Sequence, residues 1–113
     1  MRSLSLGRCA ITGEKTLPVL EAAHIKPYAE SGPHFISNGI LLRSDMHKLF
    51  DNGYLTITSD LKTEVSHRIK EEFQNGKEYY KYHGQSLMAL PSRAVDKPND
   101  FFIDWHNTHI YKG

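Results

Sequence analysis

The feature that most limits the fold is a fourteen-residue stretch, "KPYAESGPHFISNG", residues 26–39. Pro27, Gly32, Pro33 and Gly39 interrupt it so often that neither a helix nor a strand can run through. The apolar stretches on either side are short. "LPVLEAAHI" (17–25) has a strand-like centre around Val19 to Ala22, and "ILL" (40–42) is long enough only for a short strand. Ser44 is placed to cap a helix over "DMHKLFDN" (45–52), and Gly53 to end it. The order is therefore strand, long loop, strand, short helix.

Beyond Gly53 the elements stay short. "YLTIT" (54–58) alternates as a half-buried strand does, and "SDLKTEV" (59–65) turns into another. "SHRIKEEFQNG" (66–76) reads as a helix with Ile69 and Phe73 on one side and Gly76 as its stop. "KEYYKYHGQSLMALP" (77–91) is aromatic and irregular, with a strand expected at Leu87 to Leu90. After Pro98 the tail reads as a last helix in which Phe102, Trp105 and His109 share a face. There is no internal repeat and no low-complexity segment. The fold class is α+β.

With 113 residues the chain has the length of one domain with a modest core. Hydrophobic residues make up 39% and charged residues 24%, a globular rather than a disordered balance. No apolar run approaches a membrane span, and "MRSLSLGRCAITG" lacks the apolar stretch of a signal peptide, so a cytoplasmic protein is expected. Cys9 is the one cysteine, which rules out an internal disulfide and a four-cysteine zinc site. Net charge is +1, so any nucleic-acid contact must rest on a local patch or on another domain.

Against that background four polar residues stand at set offsets. His24 ends the first strand, Asn38 lies fourteen residues on, His47 nine further, and Asp51 one helical turn beyond His47. Residues four apart on a helix share a face, so His47 and Asp51 can bind one divalent ion through an imidazole and a carboxylate. An ion held there can bind a phosphate oxygen and stabilise charge on a leaving oxygen. His24, on the facing strand, can deprotonate a water, since an imidazole titrates near ~6.5. Asn38 can bridge backbone groups and so fix the loop and the tautomer of His24. Together these make a one-metal phosphodiesterase site. Each residue also has a plainer reading. His24 can be a packing histidine, Asn38 a turn residue before Gly39, and His47 with Asp51 an exposed helical pair.

The set "AAHIKP…NGILLRSDMHKLFDNGYL" resembles the HNH endonucleases. The similarity is greatest to the bacterial restriction-type branch that includes modification-dependent enzymes. It extends over Cys9 to Gly13, Ala23 to Ile25, Asn38–Gly39, His47 to Gly53, Leu90–Pro91 and Trp105–His106, roughly residues 8–110. The resemblance implies a ββα-metal core at about 17–53, with an added small antiparallel sheet and flanking helices, in a single domain over 1–113. That domain would be the C-terminal part of a longer protein. It implies a restriction or defence endonuclease that hydrolyses DNA phosphodiester bonds. His24 would be the general base, Asn38 the supporting asparagine, His47 a metal ligand and Asp51 a second. The ion would be Mg²⁺, Mn²⁺, Ni²⁺ or Zn²⁺, and the substrate double-stranded DNA. Lys26, Arg43 and Lys48 flank the proposed site and are candidates for phosphate contact. An upstream recognition domain or a homodimer would supply specificity.

The chain departs from that pattern in two places. Relatives often carry Asp or His immediately before the base, and this chain has Ala23. Glu21 is a substitute on the same strand face; alternatively it pairs with an arginine such as Arg8 or Arg2. Thr12 stands where a zinc knuckle would have its second cysteine, so a structural zinc is not expected. Ala23 also supports a different class of function, an inactive HNH-fold binding or interaction module. His34 reads as a loop histidine at the rim. His106 and His109 read as part of a packing stripe rather than a second metal site, and His67 and His83 have no evident partner. Tyr79, Tyr80 and Tyr82 can stack on bases but more often cover a small core.

Overall fold

The computed structural model describes residues 7–113. Arg2 lies outside them. The first pair of strands is β1, Leu20–His24, antiparallel to β2, Gly39–Arg43. Its register sets Leu20 opposite Arg43 and His24 opposite Gly39, so His24 sits at the end of the ladder where the long loop departs. The loop is not featureless: single 3₁₀ turns form at Tyr28–Glu30 and Ile36–Asn38. A turn of the same kind at Leu17–Val19 takes the place of the strand start expected at Val19, because Pro18 removes a ladder donor.

Helix α1, Ser44–Asp51, follows β2 directly. Met46 and Phe50, four residues apart, are fully buried and fix its rotation. His47 and Asp51 are thereby turned to the neighbouring, more open face. Ser44 is the first helical residue and not the cap. Its hydroxyl lies 3.0 Å from the Val19 carbonyl and 3.1 Å from Glu21 Oε2, tying the helix start back to β1. Gly53 ends the turn at φ 85°, and a side chain there would meet the Ile110 carbonyl at 2.3 Å. The C-terminal segment lies against this glycine, where Lys112 N–H donates to the Gly53 carbonyl at 2.8 Å.

A second antiparallel pair, β3 (Leu55–Ile57) and β4 (Thr63–Val65), stands beside α1. All three β3 residues are buried, so this strand is enclosed on both faces rather than half-exposed as its alternation suggests. Short helices α2, Arg68–Phe73, and α3, Lys77–Tyr80, follow. Ile69 is buried but Phe73 is 59% exposed, because α2 ends at once in a left-handed Gln74. The strand expected at Leu87 to Leu90 does not form. Leu87 N–H donates to Leu61 O and Met88 N–H to Ala10 O, so successive donors go to two different segments and no ladder can build. Just before Leu87, Ser86 forms a single bridge with Lys62.

The last helix, α4, is Asp100–His109, with the Asn99 side chain accepting from Phe101 N–H as its cap. Its buried face is Phe102, Ile103 and His106, while Trp105 is half-buried and His109 exposed, one position off the face expected. The core joins Cys9, Ala10 and Ile11 to β1, β2, α1, β3 and α4. Cys9 is fully buried, and its sulfur accepts from Thr12 N–H at 3.4 Å. Tyr79 and Tyr80 pack partly against this core, with hydroxyls bonded to Asp45 and to the Ser66 carbonyl. The architecture is α+β: a ββα core, a second two-stranded sheet and flanking helices. Among the described residues no helix is long and apolar enough to cross a membrane.

Candidate active site

A cleft of about 250 Å³ opens between the loop end of β1 and α1. Ala22, His24, His47 and Asp51 line it, with His106 and Ile110 on the side of α4. Three of the four residues singled out by spacing therefore face one space. The fourth, Asn38, is fully buried beneath the loop. Its Oδ1 accepts from Lys26 N–H at 2.8 Å, and its Nδ2 donates to Lys26 O at 3.0 Å and to Pro33 O at 2.9 Å. Three backbone groups that a loop would otherwise leave unpaired are satisfied by one amide.

His47 lies between two carboxylates. Its Nδ1 is 2.7 Å from Glu21 Oε1, and its Nε2 is 3.0 Å from Asp51 Oδ2. Hydrogen bonds from His47 and Ser44 hold the Glu21 carboxyl below the usual carboxylate range. Burial pushes the Asp51 carboxyl up, and the Glu21 charge adds to the push. Glu21 thus spends its oxygens on His47 and Ser44, on the side of the ring away from Asp51. The residue at 23 does not face the cleft at all: Ala23 is 3% exposed and packs in the core, while Ala22 lines the cleft. An acid at 23 would be buried in apolar surroundings on this backbone.

His47 Nε2 and Asp51 Oδ2 form a nitrogen–oxygen donor pair that suits a divalent first-row ion, with the Glu21 bond on Nδ1 turning Nε2 outward. Among the described residues no group of three or more His, Cys, Asp or Glu side chains is spaced to hold a metal ion. The donors present fit an ion held by two protein groups, with solvent or substrate oxygens completing its shell.

The three basic residues named from sequence have different settings. Lys48 is exposed on α1. Lys26 places its ammonium over the rings of Phe101 and Trp105, 5.7 and 5.5 Å from their centroids. Arg43 is gripped by Asp45 through two bonds of 2.7 and 3.1 Å. That pairing raises the guanidinium pKa further and occupies the fork that a phosphate would use.

Three residues acquire partners that spacing does not announce. Glu21 contacts His47 across 26 positions. His34, read as a rim histidine, lies with Nδ1 2.9 Å from His24 Nε2. His106 is 2% exposed and stacks on Phe50 with centroids 3.8 Å apart. Glu21 shares its strand face with Ala23, which packs in the core, so the face alone does not announce the contact with His47. For His106 the signal was the packing stripe of the last helix, and for His34 the local sequence holds none.

Residues 9–58, which contain β1, the loop, β2, α1 and β3, match the family model described as HNH endonuclease. The matched segment, a little under half of the chain, is similar to the HNH endonuclease family. Nucleases of this family generally use a divalent metal ion. The fold is also that of a solved structure described as "Modification dependent TagI restriction endonuclease", with a TM-score of 0.63 and 23% identity. That match covers 96% of this chain and 35% of the other, so this chain spans about a third of the length of the protein it resembles. No curated protein matches the sequence.

Proposed function

We propose that this domain is a metal-dependent endonuclease that hydrolyses phosphodiester bonds in double-stranded DNA as part of a restriction or defence system. The observation that carries the reading is the convergence of His24, His47 and Asp51 on one cleft inside the family-matched segment. His24 is the general base. It takes a proton from a water that attacks phosphorus in line. Asn38 holds the loop that supports it. His47 and Asp51 would hold one ion, Mg²⁺, Mn²⁺, Ni²⁺ or Zn²⁺, which when bound neutralises charge on the pentacovalent phosphorus and the leaving 3′ oxygen. The products carry 3′-hydroxyl and 5′-phosphate ends. Glu21 orients His47 and supplies no donor to the ion. Lys48 and Lys26 contact phosphates, while Arg43 stays with Asp45.

A net charge of +1 gives few phosphate contacts, so the domain alone binds DNA weakly and with strong salt sensitivity. Recognition of sequence or base modification then belongs to another domain of a longer chain or to a homodimer. The structural neighbour is a modification-dependent restriction endonuclease about three times as long, which supports that division of labour.

The test is plasmid nicking with Mg²⁺, Mn²⁺ and Ni²⁺ on plain and modified DNA. Wild type should cut, and His24→Ala should lose about a hundredfold or more. Absence of cutting by wild type under every ion and on both substrates leaves the inactive binding module as the surviving reading. Strong discrimination of sequence or methylation by this fragment alone would overturn the division of labour.

A further inference from the structure

The loop delivers a second imidazole to the first. His24 Nε2 and His34 Nδ1 are 2.9 Å apart, a distance at which one nitrogen donates and the other accepts. Only two arrangements of neutral rings satisfy the contact. If His34 Nδ1–H donates, His24 accepts at Nε2 and must carry its own proton on Nδ1. No lone pair is then left on His24 to take a proton from water. If His24 Nε2–H donates, Nδ1 keeps its lone pair, and His34 carries its proton on Nε2.

We propose that His34 is a positioning residue for the general base: it accepts the Nε2–H of His24 and so leaves Nδ1 as the basic atom. This rests on the assignment of His24 as the base. When Nδ1 takes the proton of the attacking water, the water O–H bond breaks and a His24 N–H bond forms. The Nε2–H bond to His34 persists and stabilises the resulting imidazolium. His34 neither touches the substrate nor changes its own protonation.

The loop is built to hold the second ring in place. His34 stacks on Tyr28 with centroids 4.7 Å apart and 23° between planes, and meets His24 edge-on at 4.9 Å and 67°. Asn38 Nδ2 holds the carbonyl of Pro33, the residue just before it. Gly32 lets the loop close on itself: a side chain there would lie 1.8 Å from the Lys26 carbonyl, and its own N–H donates to Pro27 O at 2.9 Å. The buried asparagine thus acts on His24 through the placement of His34.

Long-range proton–nitrogen NMR of the metal-free, uniformly ¹⁵N-labelled protein reads the tautomer directly. At a pH above imidazole titration, His24 should be the Nε2–H form in wild type and in His34→Gln, whose amide oxygen can accept. It should be a mixture in His34→Ala. In the nicking assay, His34→Ala should lose roughly tenfold or more in kcat with KM within about twofold, and His34→Gln should recover most of it. His34 is exposed, so both variants should match wild type in melting temperature. A wild-type Nδ1–H tautomer overturns the proposal. So does a tautomer or a kcat untouched by His34→Ala, or an equal loss in the Ala and Gln variants. Full activity of His24→Ala overturns the base assignment instead, while the tautomer of His24 still decides the contact with His34.

Discussion

His47 and His106 line the same cleft in different settings. His47 is half-buried between Glu21 and Asp51, with both ring nitrogens on carboxylates. His106 is buried under Phe50. Its Nε2–H donates to the Phe50 carbonyl at 2.9 Å, and its Nδ1 accepts from the Thr56 hydroxyl at 2.7 Å. Burial pushes its pKa down from 6.5 to about 4, so it stays neutral where an exposed histidine would charge. An imidazole among carboxylates and solvent is available to a cation. One among an aromatic ring, a hydroxyl and a carbonyl is a packing residue with two satisfied bonds. Partners and solvent access, not residue type, separate the two.

Exchanging each for alanine should break the comparison most visibly. His47→Ala should lose divalent-ion binding by calorimetry and about a hundredfold or more in nicking, with little change in melting temperature. His106→Ala should do the reverse. It leaves the Thr56 hydroxyl without its partner and strips the Phe50 carbonyl of its shorter bond, leaving it Gly53 N–H at 3.3 Å, beside a new cavity, and should cost about 3 kcal/mol in chemical denaturation. Activity at low temperature should largely survive. Equal melting temperatures for the two variants would erase the distinction.

Acid sharpens it further. The folded-state pKa of His106 lies below its unfolded value, so the unfolded chain binds more protons between them. Stability contributed by the neutral ring is intact above pH ~6.5 and is lost as pH falls toward ~4, by up to about 3 kcal/mol. Urea titrations from pH 7 to pH 4 should show this fall, and His106→Ala should flatten that part of it.

A smaller effect is expected at Glu21→Gln, which keeps the size of the side chain but removes the charge that orients His47. Ion affinity should fall about tenfold with the fold intact, measured by the same calorimetry. Smallest is Lys48→Ala, which should weaken DNA binding uniformly across sequences and reduce the salt slope by about one.

The four spaced residues were legible because each offset reports local structure. The breaks at Pro27, Gly32, Pro33 and Gly39 predict a loop between strands, and the four-residue step from His47 to Asp51 predicts one helix face. Other readings failed where local pattern meets a choice of partners. Leu87 to Leu90 looks like a strand, but its donors go to Leu61 and Ala10. Ala23 looked like a gap in the site, and the pleat turns it into the core.

By itself, then, the sequence determined the α+β class, the ββα order and the residue types available to the cleft, since turns, periodicity and helix faces depend on neighbours in the chain. Only the tertiary structure decided that Glu21 backs His47, that His34 meets His24 and that His106 is neutral and buried. Each of those depends on where a distant segment comes to rest, and burial and hydrogen bonding are properties of the packed molecule.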